Sequence, residues 1–387
     1  MLLALPLLLF TLVGYLAPIA FMLERSIDNS IPHGLLSRTS AALADWHGDE
    51  LPGEGAFLAL VSDLHDAEAA GRTALLGKHL NYDQEGFRTL LVKTVRALPL
   101  DGSGPAMTAL GSVDTRWLDV QTWQVLERAA RPYTLRNLLT VVDLKQLPDG
   151  DITALPEKSR IHLEILARTI LVSAAVCALC ALIGLPVALV LATVSDRTRN
   201  LLLILVLLPF WTPVLVRTTA WIVLLQNEGV INRLLMHFDL AESPLPLIFS
   251  RTGVLIAMTH VLLPYMIIPI YVAMKSVPEN YIRASLSLGA NPLVTLRRVY
   301  FPLISPGIRN GSMLVFVLAL GYYITPALVG GPSDQMLSYL ISFHTAQTLN
   351  WGLAAALSLL LLVSMGLLFW VLTRALGPVK FQFEAGR

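Results

Sequence analysis

The sequence predicts an all-α membrane protein with six transmembrane helices and a large, mainly helical domain inserted between the first and the second. Three observations carry this expectation. Of 387 residues, 55% are hydrophobic and only 14% charged, a balance that excludes an ordinary soluble enzyme. Apolar runs of roughly 20 residues, long enough to cross a bilayer, recur along the chain. Between the first two lies a charge-rich segment containing "DWHGDELPGEG" and "VSDLHDAEAAGR". The formal net charge of +1 carries no message about nucleic acid.

The spans are expected at roughly 4–23, 165–194, 200–226, 252–275, 309–330 and 352–375. The first, "ALPLLLFTLVGYLAPIAFML", has a signal-peptide alternative. It lacks a basic n-region, its apolar run exceeds a signal h-region, and Pro6 and Pro18 are tolerable in a membrane, so an uncleaved helix over 1–25 is expected.

Residues 26–160 form the inserted domain. Here "FLALVSDLHDAEA" and "FRTLLVKTVRAL" space their apolar residues as amphipathic helices do. Leu51–Gly55 and Asp101–Pro105 read as turns. His33, His47, His65 and His79 lack the close spacing of metal ligands and are expected to be solvated or capping. Cys177 and Cys180 make a CxxC in "VCALCALIG", but the apolar helical setting points to packing. No GxSxG, HExxH, GxGxxG or phosphate-binding loop occurs, and no catalytic constellation is found.

Orientation follows the bias of Lys and Arg among short loops. One side carries Arg197, Arg199, Lys275, Arg283, Arg297, Arg298, Arg309 and the tail with Arg374, Lys380 and Arg387; the other has Arg233 and Arg251 between spans three and four, and no basic residue over 332–350. Both termini are therefore expected in the cytoplasm, the inserted domain outside, and the tail over 376–387 inside.

Within the core over 161–375, the stretch "RASLSLGANPLVTLRRVYFP" (283–302) interrupts the apolar pattern. Pro278 and Glu279 suit the start of a short helix running to Leu288. Gly289 permits a turn, Asn291 is a good N-cap, and Pro292 is a favoured first residue for a second short helix. Pro302 and Pro306 are expected to close that helix before the fifth span, with Leu286, Leu288, Leu293 and Val299 as apolar contacts. A basic loop serving topology alone would not need this punctuation. A helix-turn-helix element over about 278–301 that docks a soluble partner does.

This stretch resembles the cytoplasmic coupling motif of ABC importer permeases, E-A-A, three residues, G, nine residues, I-x-L-P. Gly289 matches the glycine, Arg283, Ala284 and Ser285 fall on E-A-A, and Val299 to Pro302 on I-x-L-P. Arg283 replaces a Glu and Ser285 an Ala. The resemblance implies ATPase coupling through Arg283, Ala284, Ser285, Leu286, Gly289, Ala290, Val299 and Pro302.

Further stretches, "ARTILVSAAVCALCALIGLPVALVLA", "PVLVRTTAWIVLLQNEGVINRLL", "HVLLPYMIIPIY" and "GYYITPALVGGPSDQM", are similar to spermidine/putrescine permeases. The resemblance implies the type I importer permease fold and a place in the bacterial inner membrane. The implied partners are a second permease subunit, a cytoplasmic ATPase dimer, a periplasmic substrate-binding protein and membrane lipid. ATP and Mg would be bound by the ATPase, and this chain would hold no cofactor or metal.

Polar and aromatic residues inside the spans are the candidates for the path: Arg217, Trp221, His260, Tyr265, Tyr322 and Tyr323. Each has a packing or snorkelling role as its competitor. The expected spans two to six contain no Asp or Glu, so a carboxylate for a polyamine would come from a partner. A secondary transporter or channel and a ligand-sensing receptor are the alternatives; neither needs the coupling motif.

Overall fold

The computed structural model describes residues 5–98 and 105–376. The expected tail beyond Leu376 and the turn residues Asp101–Gly104 lie outside the described residues. Contacts divide the chain into two units, one of 1–163 with 348–357, the other of 164–347 with 358–387.

In the first unit the charge-rich segment builds its own core. Helices Glu54–Ala69, Thr73–Asp83, Phe87–Arg96 and Val120–Ala129 contain both expected amphipathic stretches. Phe57, Leu60 and Leu64 recur at helical spacing and are fully buried with Leu76, Leu80, Leu90 and Leu91. Trp117 and Trp123 lie at the centre, the latter 4.4 Å from the Phe57 ring centroid. Their indole N–H groups donate to Thr94 Oγ1 and to the Trp117 carbonyl, both at 2.8 Å, which removes the penalty for burying them.

A two-stranded antiparallel hairpin pairs Leu144–Gln146 with Ile152–Ala154. Just before it, the Asp143 carboxylate accepts the backbone N–H groups of His162 and Leu163 and contacts His162 Nδ1 at 2.9 Å. Burial opposes its charge, but these donors outweigh burial and hold the acid below the usual carboxylate range. The expected histidine roles need one correction. His33 bonds the Ala130 carbonyl at 2.7 Å, but His79 is half-buried and its buried Nδ1 has no partner. It sits in the helix Thr73–Asp83 off the face buried by Leu76, Gly77 and Leu80, among residues that include Tyr82 and Arg136.

Five helices among the described residues are long and apolar enough to cross a membrane: Leu5–Glu24, His162–Thr193, Arg251–Lys275, Pro292–Leu320 and Trp351–Val371. A bent pair, Asp196–Trp211 with Val214–His237, makes a sixth if counted as one span.

That pair stands where a span over 200–226 is expected, and it is bent. The helices meet at 100°. Pro213 has no N–H to give the carbonyl four residues back, at Pro209, and it drives Thr212 to extended backbone at φ −94°, ψ 134°.

The fifth span is also corrected. It begins at Pro292 and ends at Leu320, rather than running over 309–330. Pro302 and Pro306 do not close a helix. A π-turn at Leu296–Tyr300 widens the backbone just ahead of Pro302, relieving the clash of its ring with the preceding turn, and Pro306 lies inside the continuing helix. The same device occurs at Leu12–Leu16 ahead of Pro18. Beyond Leu320 the chain breaks at Gly321–Tyr323 before a separate short helix, Ile324–Val329.

The core of the second unit is the seam between Arg251–Lys275 and Phe301–Leu320. A Cβ on Gly307 would stand 2.4 Å from the Ala273 Cβ and 2.6 Å from the Pro269 carbonyl oxygen, and one on Gly311 would stand 3.0 Å from Met266 Sδ. Two glycines four residues apart thus let the backbones approach. Cys177 and Cys180 pack as expected; both are free thiols, lying 3.3 Å from the Ser312 carbonyl and 3.6 Å from the Thr259 carbonyl.

Candidate functional site: the coupling hairpin and the polar residues of the spans

The hairpin is built by local rules. Glu279–Ser287 forms the first helix, with Pro278 as its N-cap and not in its first turn. Gly289 has φ +85°, in the region that favours glycine, and nothing lies within 4 Å of where its Cβ would be. Its glycine requirement is therefore one of backbone and not of space. The Leu288 N–H returns to the Ala284 carbonyl at 3.0 Å and the Ala290 N–H to the Ser285 carbonyl at 3.2 Å. Asn291 Oδ1 accepts the Val294 N–H at 2.8 Å, with Pro292 as the first helical residue.

Ser285 and Thr295 are buried and their hydroxyls meet at 2.7 Å across the turn. The residue that departs from the E-A-A pattern is thus the one that ties the two short helices together. Arg283, the other departure, donates to Glu279 one turn earlier at 2.5 Å on the exposed face. Ala284 and Pro302 are exposed and Ala290 and Val299 half-buried.

The expected apolar contacts need correction. Leu286, Leu288 and Leu293 are 46%, 88% and 73% exposed. The hairpin closes on a hydroxyl pair and turn hydrogen bonds, so its leucines form an outward apolar edge beside Arg283. Such an edge suits a docking surface.

The structure does not gather the six path candidates into one site. Trp221 Nε1 donates to His260 Nδ1 at 3.2 Å, with ring centroids 5.3 Å apart. In the neutral ring the proton therefore sits on Nε2. The Arg217 guanidinium donates to the Pro209 carbonyl, which also accepts the Thr212 hydroxyl at 3.0 Å. These are the substitutes for the missing Pro213 N–H, so Arg217 braces the bend. Its Nε is buried without a partner.

Tyr265 packs its ring 4.8 Å from Phe210. Tyr322 and Tyr323 fall in the break after Leu320; the Tyr322 hydroxyl is buried without a partner and Tyr323 is exposed. A mostly apolar cavity of about 470 Å³ is lined by Pro209, His260, Leu263, Pro264 and Ile267, with residues of 186–191 and 202–206. Of the six candidates, only His260 lines it.

Sequence reasoning missed Thr295, the Pro209 carbonyl and the Arg251–Asp334 ion pair at 3.1 Å, in which the acid is buried. It also missed the Gly307/Gly311 seam, whose small-residue spacing was legible.

Residues 184–378 match the family described as binding-protein-dependent transport system inner membrane component. The spermidine/putrescine transport system permease protein PotB of Escherichia coli (strain K12) is 32% identical over 196 residues, 51% of this chain and 71% of that protein. PotB of Haemophilus influenzae is 34% identical over 197 residues, 51% of this chain and 69% of that protein. The molybdenum transport system permease protein ModB of Mycobacterium bovis is 33% identical over 192 residues, 49% of this chain and 71% of that protein.

Proposed function

Because this chain belongs to the family of binding-protein-dependent transport system inner membrane components and is an ABC importer permease, we propose that it forms half of a translocation path for a polyamine, spermidine or putrescine. The second half would come from another permease subunit. A periplasmic binding protein would deliver the solute, and a cytoplasmic ATPase dimer would bind the ATP and Mg.

The observation that carries the coupling role is the hairpin at 279–295. Its backbone is fixed by Gly289 at φ +85° and by the Ser285–Thr295 pair, while its leucines face outward. A rigid element with an exposed apolar edge can transmit a push from a docked subunit; a topological loop needs neither property. In this reading Arg283, Ala284, Leu286, Ala290, Val299 and Pro302 frame the docking face, both termini are cytoplasmic, and residues 26–160 lie outside.

Polyamine as substrate rests on the likeness to PotB. A specific observation favours a second reading, an oxyanion. A molybdenum transport permease is 33% identical over 49% of this chain, and the one path candidate that lines the apolar cavity is His260, with no carboxylate beside it.

Uptake of radiolabelled putrescine, spermidine and molybdate by the assembled transporter in proteoliposomes, with its own binding protein, separates the two. ATP-dependent putrescine or spermidine uptake supports the first. Molybdate uptake alone overturns it while leaving the permease assignment intact.

A further inference from the structure

The first unit contains a cavity of about 470 Å³ that plays no part in coupling or in the proposed path. Arg25, Lys78, His79, Tyr82, Arg136 and Trp351 are among the residues that line it, all within this unit.

Its charges do not cancel. Arg25 pairs with Asp28 at 2.8 Å and Arg136 with Asp83 at 2.7 Å. Asp28 is engaged further by the Ser30 N–H at 3.0 Å. The Lys78 ammonium donates to the Thr348 carbonyl at 2.8 Å, and no carboxylate among the described residues pairs with it. One positive charge is therefore left at the cavity. His79 stays neutral near pH 7, since burial, aided by Arg136 and Lys78, pushes it down to about 4. Its Nδ1 is buried and unpartnered. Arg136 is held in place over the Tyr82 ring, 5.4 Å from the centroid.

The position of the cavity narrows the ligand. Arg25 directly follows the candidate span Leu5–Glu24, and Trp351 opens the candidate span Trp351–Val371. Two apolar spans ending at one cavity put it at the boundary of the bilayer, where Trp and Tyr side chains and basic residues meet lipid headgroups. Leu349 and Trp351 are 61% and 52% exposed beside it. Leu349 also holds φ +52°, a backbone that a branched side chain adopts only under constraint. The turn that brings the Thr348 carbonyl to Lys78 is thus maintained against a local penalty.

We propose that this cavity binds the phosphodiester headgroup of an anionic membrane phospholipid. Lys78 supplies the unmatched charge, Arg25 and Arg136 offer guanidinium N–H groups, and the exposed Leu349 and Trp351 lie against its acyl chains. Phosphate is the shared chemistry with a free anion, and the membrane boundary selects the lipid source.

Native mass spectrometry of the assembled transporter, released from nanodiscs of equal phosphatidylglycerol and phosphatidylcholine, tests this. Wild type is expected to retain one phosphatidylglycerol per chain that Lys78→Gln loses, with retention falling about fivefold, the worth of one basic residue near an anionic surface. Lys78→Arg should keep it. Equal retention by Lys78→Gln and wild type overturns the proposal. If Lys78→Gln does not assemble, Arg25→Gln carries the comparison, and undiminished retention there overturns it too. A further arm adds excess inorganic phosphate. Loss of the bound lipid to free phosphate would mean a soluble anion site and overturn the lipid assignment; retention supports it.

Discussion

The hydroxyls of Ser285 and Thr295 lie 2.7 Å apart, buried between the two short helices of the proposed coupling hairpin. Removing one partner leaves the other buried and unpaired, at a penalty of about 1–3 kcal/mol, whereas replacing both with apolar groups is nearly neutral. Ser285→Ala should therefore weaken ATPase association, although alanine is the residue of the E-A-A pattern. Thr295→Val in the Ser285→Ala background should restore much of it. Affinity of the purified ATPase for the four members of this double-mutant cycle is the measurement; additive effects would show that the pair does not set the hairpin.

Gly289 makes a sharper test of the same element. Its φ is +85° and the space around its Cβ position is open, so the penalty of substitution lies in the backbone. Gly289→Asn should retain a substantial part of uptake and Gly289→Val almost none, with both variants inserted in the membrane. Equal loss in the two would point to a steric contact with the docked partner instead.

At the seam between Arg251–Lys275 and Phe301–Leu320 space is what matters. Gly307→Ala would place a methyl group 2.4 Å from the Ala273 Cβ, forcing the helices apart at a penalty of about 1–3 kcal/mol. Gly366→Ala meets nothing within 4 Å and serves as the control. Thermal stability in detergent should fall for the first variant and hold or rise slightly for the second.

His79 gives a pH dependence with a definite sign. Its pKa is pushed from 6.5 to about 4, mainly by burial, with Arg136 and Lys78 acting the same way and Asp28 opposing. The unfolded chain binds this proton more readily than the folded one. The stabilising difference is fully present above about 6.5 and is lost progressively as pH falls towards about 4. Melting temperature should drop more steeply over that interval in wild type than in His79→Gln; parallel curves would mean that His79 titrates normally.

These sites differ in how far the sequence discloses them. Gly289, Asn291 and Pro292 act through their own backbone preferences, so the turn and the second helix start are readable from residue types alone. The spans are readable because each must be apolar over its whole length. Thr295, by contrast, matters only through a partner ten residues away, and nothing in its own neighbourhood marks it. Pro213 is ambiguous in the same way. A proline in an apolar run can be absorbed, as Pro302 is behind its π-turn, or can bend the chain by 100°. Which of these happens depends on whether the freed carbonyl finds a donor, and for Pro209 that donor is a side chain eight residues on.

That donor is Arg217, and its role is open to a direct test. The Pro209 carbonyl lost its helical partner to Pro213, and the guanidinium and the Thr212 hydroxyl replace it. An unsatisfied carbonyl in an apolar setting costs several kcal/mol, so a variant that cannot donate should loosen the bend. Arg217→Met should lower thermal stability and the yield of assembled transporter, while the concentration of solute needed for half-maximal uptake by the surviving complex stays near the wild-type value. Arg217→Lys keeps a donor and should recover part of the stability. A residue contacting the solute would show the opposite division, with stability unchanged and half-maximal uptake shifted tenfold or more, as expected for a charged contact of about 1.5–3 kcal/mol. Uptake titrations and melting curves on the same preparations decide between the two, and a shift of the titration without loss of stability would move Arg217 from the frame of the path to its lining.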